Sequence, residues 1–190
     1  MPAPLGRREW LQDEHYTYCL QEFLLRPRPP DHVWLATPTQ VALLSAGRDE
    51  DDVEAGRDGC LRDLWDRPHI RSLLLPISAG AQVGAAADAG EHWVLLVVRR
   101  GQGRGEPVSA RLFDSLAVVR PAAMLAAQAV LRRLASSPLW REVPRRPQPE
   151  PQNVQRDRYQ CGVWCLLMTR QALEAERGRG EPKLKRENAT

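Results

Sequence analysis

The chain has no apolar run approaching the roughly 20 residues of a membrane span. Its opening decapeptide, MPAPLGRREW, is charged and lacks the apolar block of a secretory signal. Both absences set the expectation of a protein with no membrane association, working in the reducing cytoplasm or nucleus. Cysteine is scarce, with only Cys19, Cys60, Cys161 and Cys165. Without secretion, no disulfide framework is expected. Zinc would need two further ligands at a sensible spacing from Cys161 and Cys165, and no histidine lies near that pair in sequence, so no metal is expected. A clustered basic face is also missing. The net charge is +3 and the arginines are scattered among acids, which describes a mixed solvated surface rather than a nucleic-acid footprint. No internal repeat or low-complexity tract is long enough to matter.

What is present is ordinary for a globular chain: 190 residues, 43% hydrophobic and 27% charged, enough for one sizeable core. Residues 1–176 are expected to form a single domain, active as a monomer, and 177–190 a disordered basic tail. Leu11, Tyr16, Leu20, Phe23 and Leu24 recur at roughly helical spacing, predicting an amphipathic helix from about Asp13, broken by the prolines of RPRPPD. VWLATP reads as a short strand, and TQVALLSAG as a helix with Thr39 as its cap and Gly47 at its end. RDEDDVEAGRDG reads as a charged loop. RSLLLPI is a strand entering a loop of small residues. HWVLLVVRR is apolar throughout its middle, the pattern of a central strand buried on both faces. SARLFDSL reads as its antiparallel partner, PAAMLAAQAVLRRLASS as an Ala- and Leu-rich helix, RRPQPEPQN as an extended loop, and GVWCLLMTRQALEAE as a last helix. This order predicts an α+β fold, a central mixed sheet flanked by helices.

The junction QRDRYQCGVWCLL at 155–167 passes from polar loop to apolar helix at a cysteine. A thiol at a helix start meets the positive end of the dipole, a suitable setting for a nucleophile. Such a nucleophile needs a base, a group to orient that base, and an oxyanion donor. His92 opens the best strand and Asp114 closes the next; if the two pair antiparallel, they lie side by side. Gly162 after the cysteine lets backbone approach a substrate closely. Each residue has a plainer reading. A histidine opening a strand is commonly a polar edge residue, Asp114-Ser115 is a common turn or cap pair, and Cys161 is small enough to be core. Cys165, inside the apolar run, fits that core role better.

Five short motifs come in order: WLQD at 10–13, LLLPIS at 73–78, HW at 92–93, FDS at 113–115, and Q-x-D-x-x-Q-C-G-V at 155–163. Together, over residues 10 to about 170, they resemble the ubiquitin-like-protein-specific (Ulp, or sentrin-specific) cysteine protease family, whose fold is related to papain's. Its patterns read W-L-N-D, L-P-I-N, HW, YDS and Q-x-N-x-x-D-C-G. The compact size and the AGEHWVLLVV loop look most like the small Nedd-specific members.

The resemblance implies Cys161 as nucleophile, His92 as base, Asp114 as the group orienting it, and Gln155 with the Cys161 N–H as oxyanion donors. It implies that Trp10 and Trp93 roof a tunnel for a diglycine tail, where only residues without side chains fit between indole faces; alternatively each tryptophan is a core or interface anchor. Asp13 would touch the incoming modifier. The implied activity is a cofactor-free thiol isopeptidase, with a ubiquitin-like modifier and its conjugates as partners. SUMO, Nedd-type and ubiquitin substrates stay open, as do a catalytically weak homologue that only binds the modifier and an acetyltransferase effector of the same fold. Gln160 stands where the family has Asp, Asp157 replaces Asn, and Gln12 replaces the Asn of W-L-N-D. None of these departures touches the proposed triad.

Overall fold

A computed structural model describes residues 13–24, 28–45, 67–79, 92–101, 107–156 and 160–179. The architecture is a five-stranded mixed sheet with helices on both faces. Helix α1 (Asp13–Cys19) starts where the apolar spacing indicated and runs into a π-helical turn, Leu20–Leu24. Strand β1 (Val33–Leu35) and helix α2 (Pro38–Ser45) follow. Next come β2 (Ser72–Ala79), β3 (His92–Arg99) and β4 (Ser109–Asp114). Helix α3 (Pro121–Leu134), edge strand β5 (Gln148–Pro151) and helix α4 (Cys161–Glu174) complete the order. The strands lie in sequence order, β2–β3 and β3–β4 antiparallel and the two outer pairs parallel.

Strand β3 is apolar on both sides because both sides are covered. Val94, Leu96 and Val98 pack with Val41 and Leu44 of α2 and Ala127, Val130 and Leu131 of α3. Trp93, Leu95 and Val97 point the other way, into a cluster with Tyr16 of α1 and Cys165, Met168 and Leu173 of α4. Each buried aliphatic side chain contributes roughly 1.5–3 kcal/mol, so β3 is the spine on which the other elements are registered.

Two local readings change. The cap of α2 is Thr37, not Thr39: the Gln40 N–H donates to Thr37 Oγ1 at 3.3 Å, and the Thr37 N–H donates to Gln40 Oε1 at 2.8 Å. This reciprocal pair is a capping box, with Pro38 at the first helical position where its missing N–H costs nothing. RRPQPEPQN is not wholly loop, since Gln148–Pro151 pairs parallel to β4. An edge strand leaves one side of its ladder unpaired, which is where Pro149 and Pro151 can be accommodated. Helix α4 continues as a π-helical turn, Ala175–Arg179, past the expected domain end at 176, with Gly178 at φ 81°. Gly47, the charged loop 48–59 and residues 180–190 lie outside the described residues. No described helix is long and apolar enough to cross a membrane.

Candidate active site

The site forms where β3 begins, β4 ends and α4 begins. The β3–β4 register sets Val94 opposite Asp114, so His92 is the diagonal same-face neighbour of that carboxylate. The imidazole bridges the gap, and its Nε2 donates to Asp114 Oδ1 at 2.7 Å. Both side chains are sealed from solvent, at 2% and 0% exposure. Asp114 Oδ1 also accepts the Leu116 N–H at 2.9 Å, which closes a tight turn and fixes the carboxylate. Oδ2 is buried and finds no donor among the described residues.

Cys161 is the first residue of α4 and is 1% exposed. Its sulfur is hydrogen-bonded to the His92 ring. With the Nε2 proton committed to Asp114, Nδ1 is the ring nitrogen left for the sulfur. Burial is the largest influence on the imidazole and disfavours its charged form. The hydrogen bond to Asp114, the contact with Cys161 and the charges of both outweigh it, raising the His92 pKa from 6.5 to about 9. At neutral pH the ring is therefore held as an imidazolium between a carboxylate and a sulfur.

Gln155 is delivered by a loop zipped onto the turn after β4. The Gln152 N–H donates to Asp114 O at 2.8 Å, and the Val154 and Gln155 N–H groups both donate to Ser115 O, at 2.9 and 3.0 Å. Asn153 takes φ 51° within this loop, a left-handed conformation that asparagine tolerates better than most residues. Ser115 Oγ, fully buried, donates to Gln155 Oε1 at 2.6 Å. Because the carbonyl end accepts from Ser115, Nε2 is the amide's donor end. The sequence placed Ser115 in the FDS motif and in a common turn pair but did not indicate this role for it. The signal was the pairing of a buried hydroxyl with a distant glutamine, which no local pattern encodes.

The structure thus brings His92, Asp114 and Cys161 together and ties Gln155 to the same turn. Gly162 is buried in the first turn of α4. Trp93, read either as a roof over a substrate tail or as a core anchor, faces the cluster shared with α1 and α4. It is fully buried in the core, and Tyr16 covers one ring face, with centroids 4.6 Å apart and planes 11° from parallel. Asp13 begins α1. Trp10, Gln12 and Asp157 lie outside the described residues.

No protein-family model and no curated protein sequence matches the chain. Solved structures do. The Xanthomonas campestris effector protein XopD bound to ubiquitin superposes with a TM-score of 0.64 at 22% identity, over 97% of this chain and 88% of that one. The SUMO protease Ulp1, with its catalytic cysteine oxidised to a sulfenic acid, gives a TM-score of 0.62 at 14% identity, over 95% of this chain and 72% of that one. The C-terminal Ulp1 protease domain in complex with Smt3, the yeast ortholog of SUMO, gives 0.55 at 14% identity, over 95% and 70%. The fold is that of the Ulp1 and XopD proteases. The likeness expected to the small Nedd-specific members finds no support in these neighbours. In the Ulp1-type fold seen here, the thiol, imidazole and carboxylate meet at one end of the sheet, under the first turn of the last long helix.

Proposed function

We propose that the protein is a thiol isopeptidase that cleaves after the C-terminal diglycine of a ubiquitin-like modifier, processing its precursor or releasing it from conjugates. The observation that carries this reading is the buried relay from Asp114 through His92 to Cys161. The fold shared with structures bound to ubiquitin and to Smt3 supports the substrate class.

In the proposed reaction His92 already holds the proton as an imidazolium, and the Cys161 sulfur beside it attacks the carbonyl carbon of the terminal glycine. The C–O π electrons move onto oxygen, where the Gln155 amide N–H and the Cys161 backbone N–H stabilise them. As the tetrahedral species collapses, the C–N bond breaks and the imidazolium protonates the departing amine. A water molecule then loses a proton to the now neutral His92 and attacks the thioester; the C–S bond breaks with its electrons on sulfur, the product acid leaves as a carboxylate with its proton passing to solvent, and the imidazolium beside the Cys161 sulfur is restored. Asp114 holds the ring in one tautomer and favours its charged form throughout. A histidine with a pKa of about 9 suits the acid step, because it carries its proton at working pH.

Trp93, packed behind the site at the start of β3, is proposed to back the channel for the substrate tail. Trp10 and Asp13 are the further contacts proposed for the tail and the modifier body. A side-by-side turnover panel over ubiquitin, SUMO and Nedd-type substrates, with Cys161→Ala as control, tests the reading. Turnover of at least one substrate that vanishes in the control supports it. Tight binding of an intact modifier without turnover replaces it with a binding-only homologue.

A further inference from the structure

Behind the nucleophile lies a second buried polar group that the proposed reaction does not use. Tyr16, on α1, is fully buried. Its hydroxyl lies 3.3 Å from Cys165 Sγ and 3.0 Å from Thr169 Oγ1. Its ring stacks on Trp93. Cys165 is one helical turn beyond Cys161, and Trp93 immediately follows His92 in β3. A single rigid side chain therefore touches the neighbour of the base and the turn below the nucleophile.

The direction of the protons in this group can be worked out. Thr169 Oγ1 donates to the Cys165 carbonyl at 2.8 Å, so its one proton is spent there. It can then only accept from Tyr16, so the tyrosine hydroxyl donates to Thr169. That leaves the Cys165 thiol as the donor to the tyrosine oxygen. The chain runs from Cys165 S–H to Tyr16 O–H to Thr169 O–H and closes on the Cys165 carbonyl. Each hydroxyl proton has one acceptor, and reversing one bond would orphan a buried donor. Burial, the largest cause, raises the Tyr16 pKa well above 10, and burial pushes Cys165 up to about 12. Both groups keep their protons at working pH, so Cys165 is no rival nucleophile.

We propose that Tyr16 is a positioning residue: its ring on Trp93 and its hydroxyl on Cys165 and Thr169 register the catalytic helix against β3 and so hold the Cys161 sulfur against the His92 imidazole. A tyrosine suits this task because only two side-chain torsions separate its backbone from both contacts. Packing alone would let α4 slide or rotate along the sheet, whereas a directional hydroxyl chain admits one register. The inference deepens the thiol-isopeptidase reading and rests on it for its kinetic arm.

The test compares full-length wild type with Tyr16→Phe, Thr169→Val and the double variant. Phenylalanine keeps the ring stack and removes only the hydroxyl. Two readouts are taken: kcat and KM on the best modifier substrate, and the rate of iodoacetamide alkylation at Cys161, located by peptide mapping. Tyr16→Phe is expected to lower kcat and the Cys161 alkylation rate by about three- to tenfold, the scale of one lost hydrogen bond, with KM unchanged. The double variant should be no slower than the slower single, because both break one chain. Normal kcat and normal alkylation in Tyr16→Phe, with only a lower melting temperature, would overturn the proposal and leave Tyr16 a core residue. If wild type turns over no modifier, the isopeptidase reading fails, and the alkylation rates still decide whether Tyr16 sets the Cys161–His92 geometry.

Discussion

The two ends of strand β3 each hold a carboxylate contact, sealed at one end and partly exposed at the other, and they are built in opposite ways. At the far end Glu176 is saturated. Its Oε1 accepts from Arg99 Nε at 2.6 Å, and its Oε2 accepts from Ser72 Oγ at 2.8 Å and lies 3.4 Å from His32 Nε2. At the near end Asp114 concentrates its contacts on Oδ1, while Oδ2 has no donor among the described residues. A carboxylate with both oxygens partnered has its charge answered by fixed groups and serves to tie elements together, here the end of the α4 extension to β2 and β3. A carboxylate whose bonded oxygen faces an imidazole in a sealed site favours the charged ring. The pairing at one end fastens the fold; at the other, the hydrogen bond to Asp114, the contact with Cys161 and the charges of both outweigh burial and raise His92 to about 9.

The comparison breaks most visibly at the near end. His92→Ala should lower turnover by about 100- to 10,000-fold, the usual contribution of a positioned acid–base group, with KM far less affected, as steady-state kinetics would measure. Asp114→Asn should cost on the order of 100-fold and also move a pH limb. In the wild type, activity should decline as pH rises through about 9, where His92 loses its proton; in the variant that decline should shift toward 6.5. Stability carries the same sign. A folded-state pKa of about 9 against an ordinary 6.5 means that the folded protein holds a proton the unfolded chain has released. The stabilisation is complete below about 6.5 and is lost as pH rises through 9. Thermal melts across that window should slope downward in wild type and flatten in Asp114→Asn. The smallest catalytic effect belongs to the far end. Glu176→Gln should leave kcat within about twofold of wild type yet lower stability by about 1–3 kcal/mol, read by denaturant melts. A large kcat loss in Glu176→Gln would show that the two ends are not separable.

The elements that sequence disclosed best are those whose burial is written in one periodic signal. Strand β3 is apolar at every middle position because both faces are covered, and the helix expected from about Asp13 is present over Asp13–Cys19. His92 and Asp114 were readable as a pair because antiparallel pairing follows from two adjacent strands and a short connection. What escaped was set by contacts between distant positions or by competing local cues. Thr39 looked like the cap of α2, but the reciprocal bond with Gln40 belongs to Thr37. The prolines of β5 argued for loop, and only its place at the edge of the sheet makes them admissible. Tyr16 was visible as a member of an apolar stripe. The destination of its hydroxyl, 149 and 153 positions along the chain, was not. For the same reason the stacking of Tyr16 on the buried Trp93 was not legible either.

The central claim is that Cys161 is a nucleophile activated by His92 toward the tail of a ubiquitin-like protein. The most direct test is mass-mapped labelling with vinyl-sulfone derivatives of ubiquitin, SUMO and a Nedd-type modifier. The account predicts a single adduct on Cys161 with at least one probe, abolished in Cys161→Ala and strongly slowed in His92→Ala. A folded wild-type protein that forms no adduct with any of the three, or an adduct on Cys161 whose rate ignores the loss of His92, would contradict it.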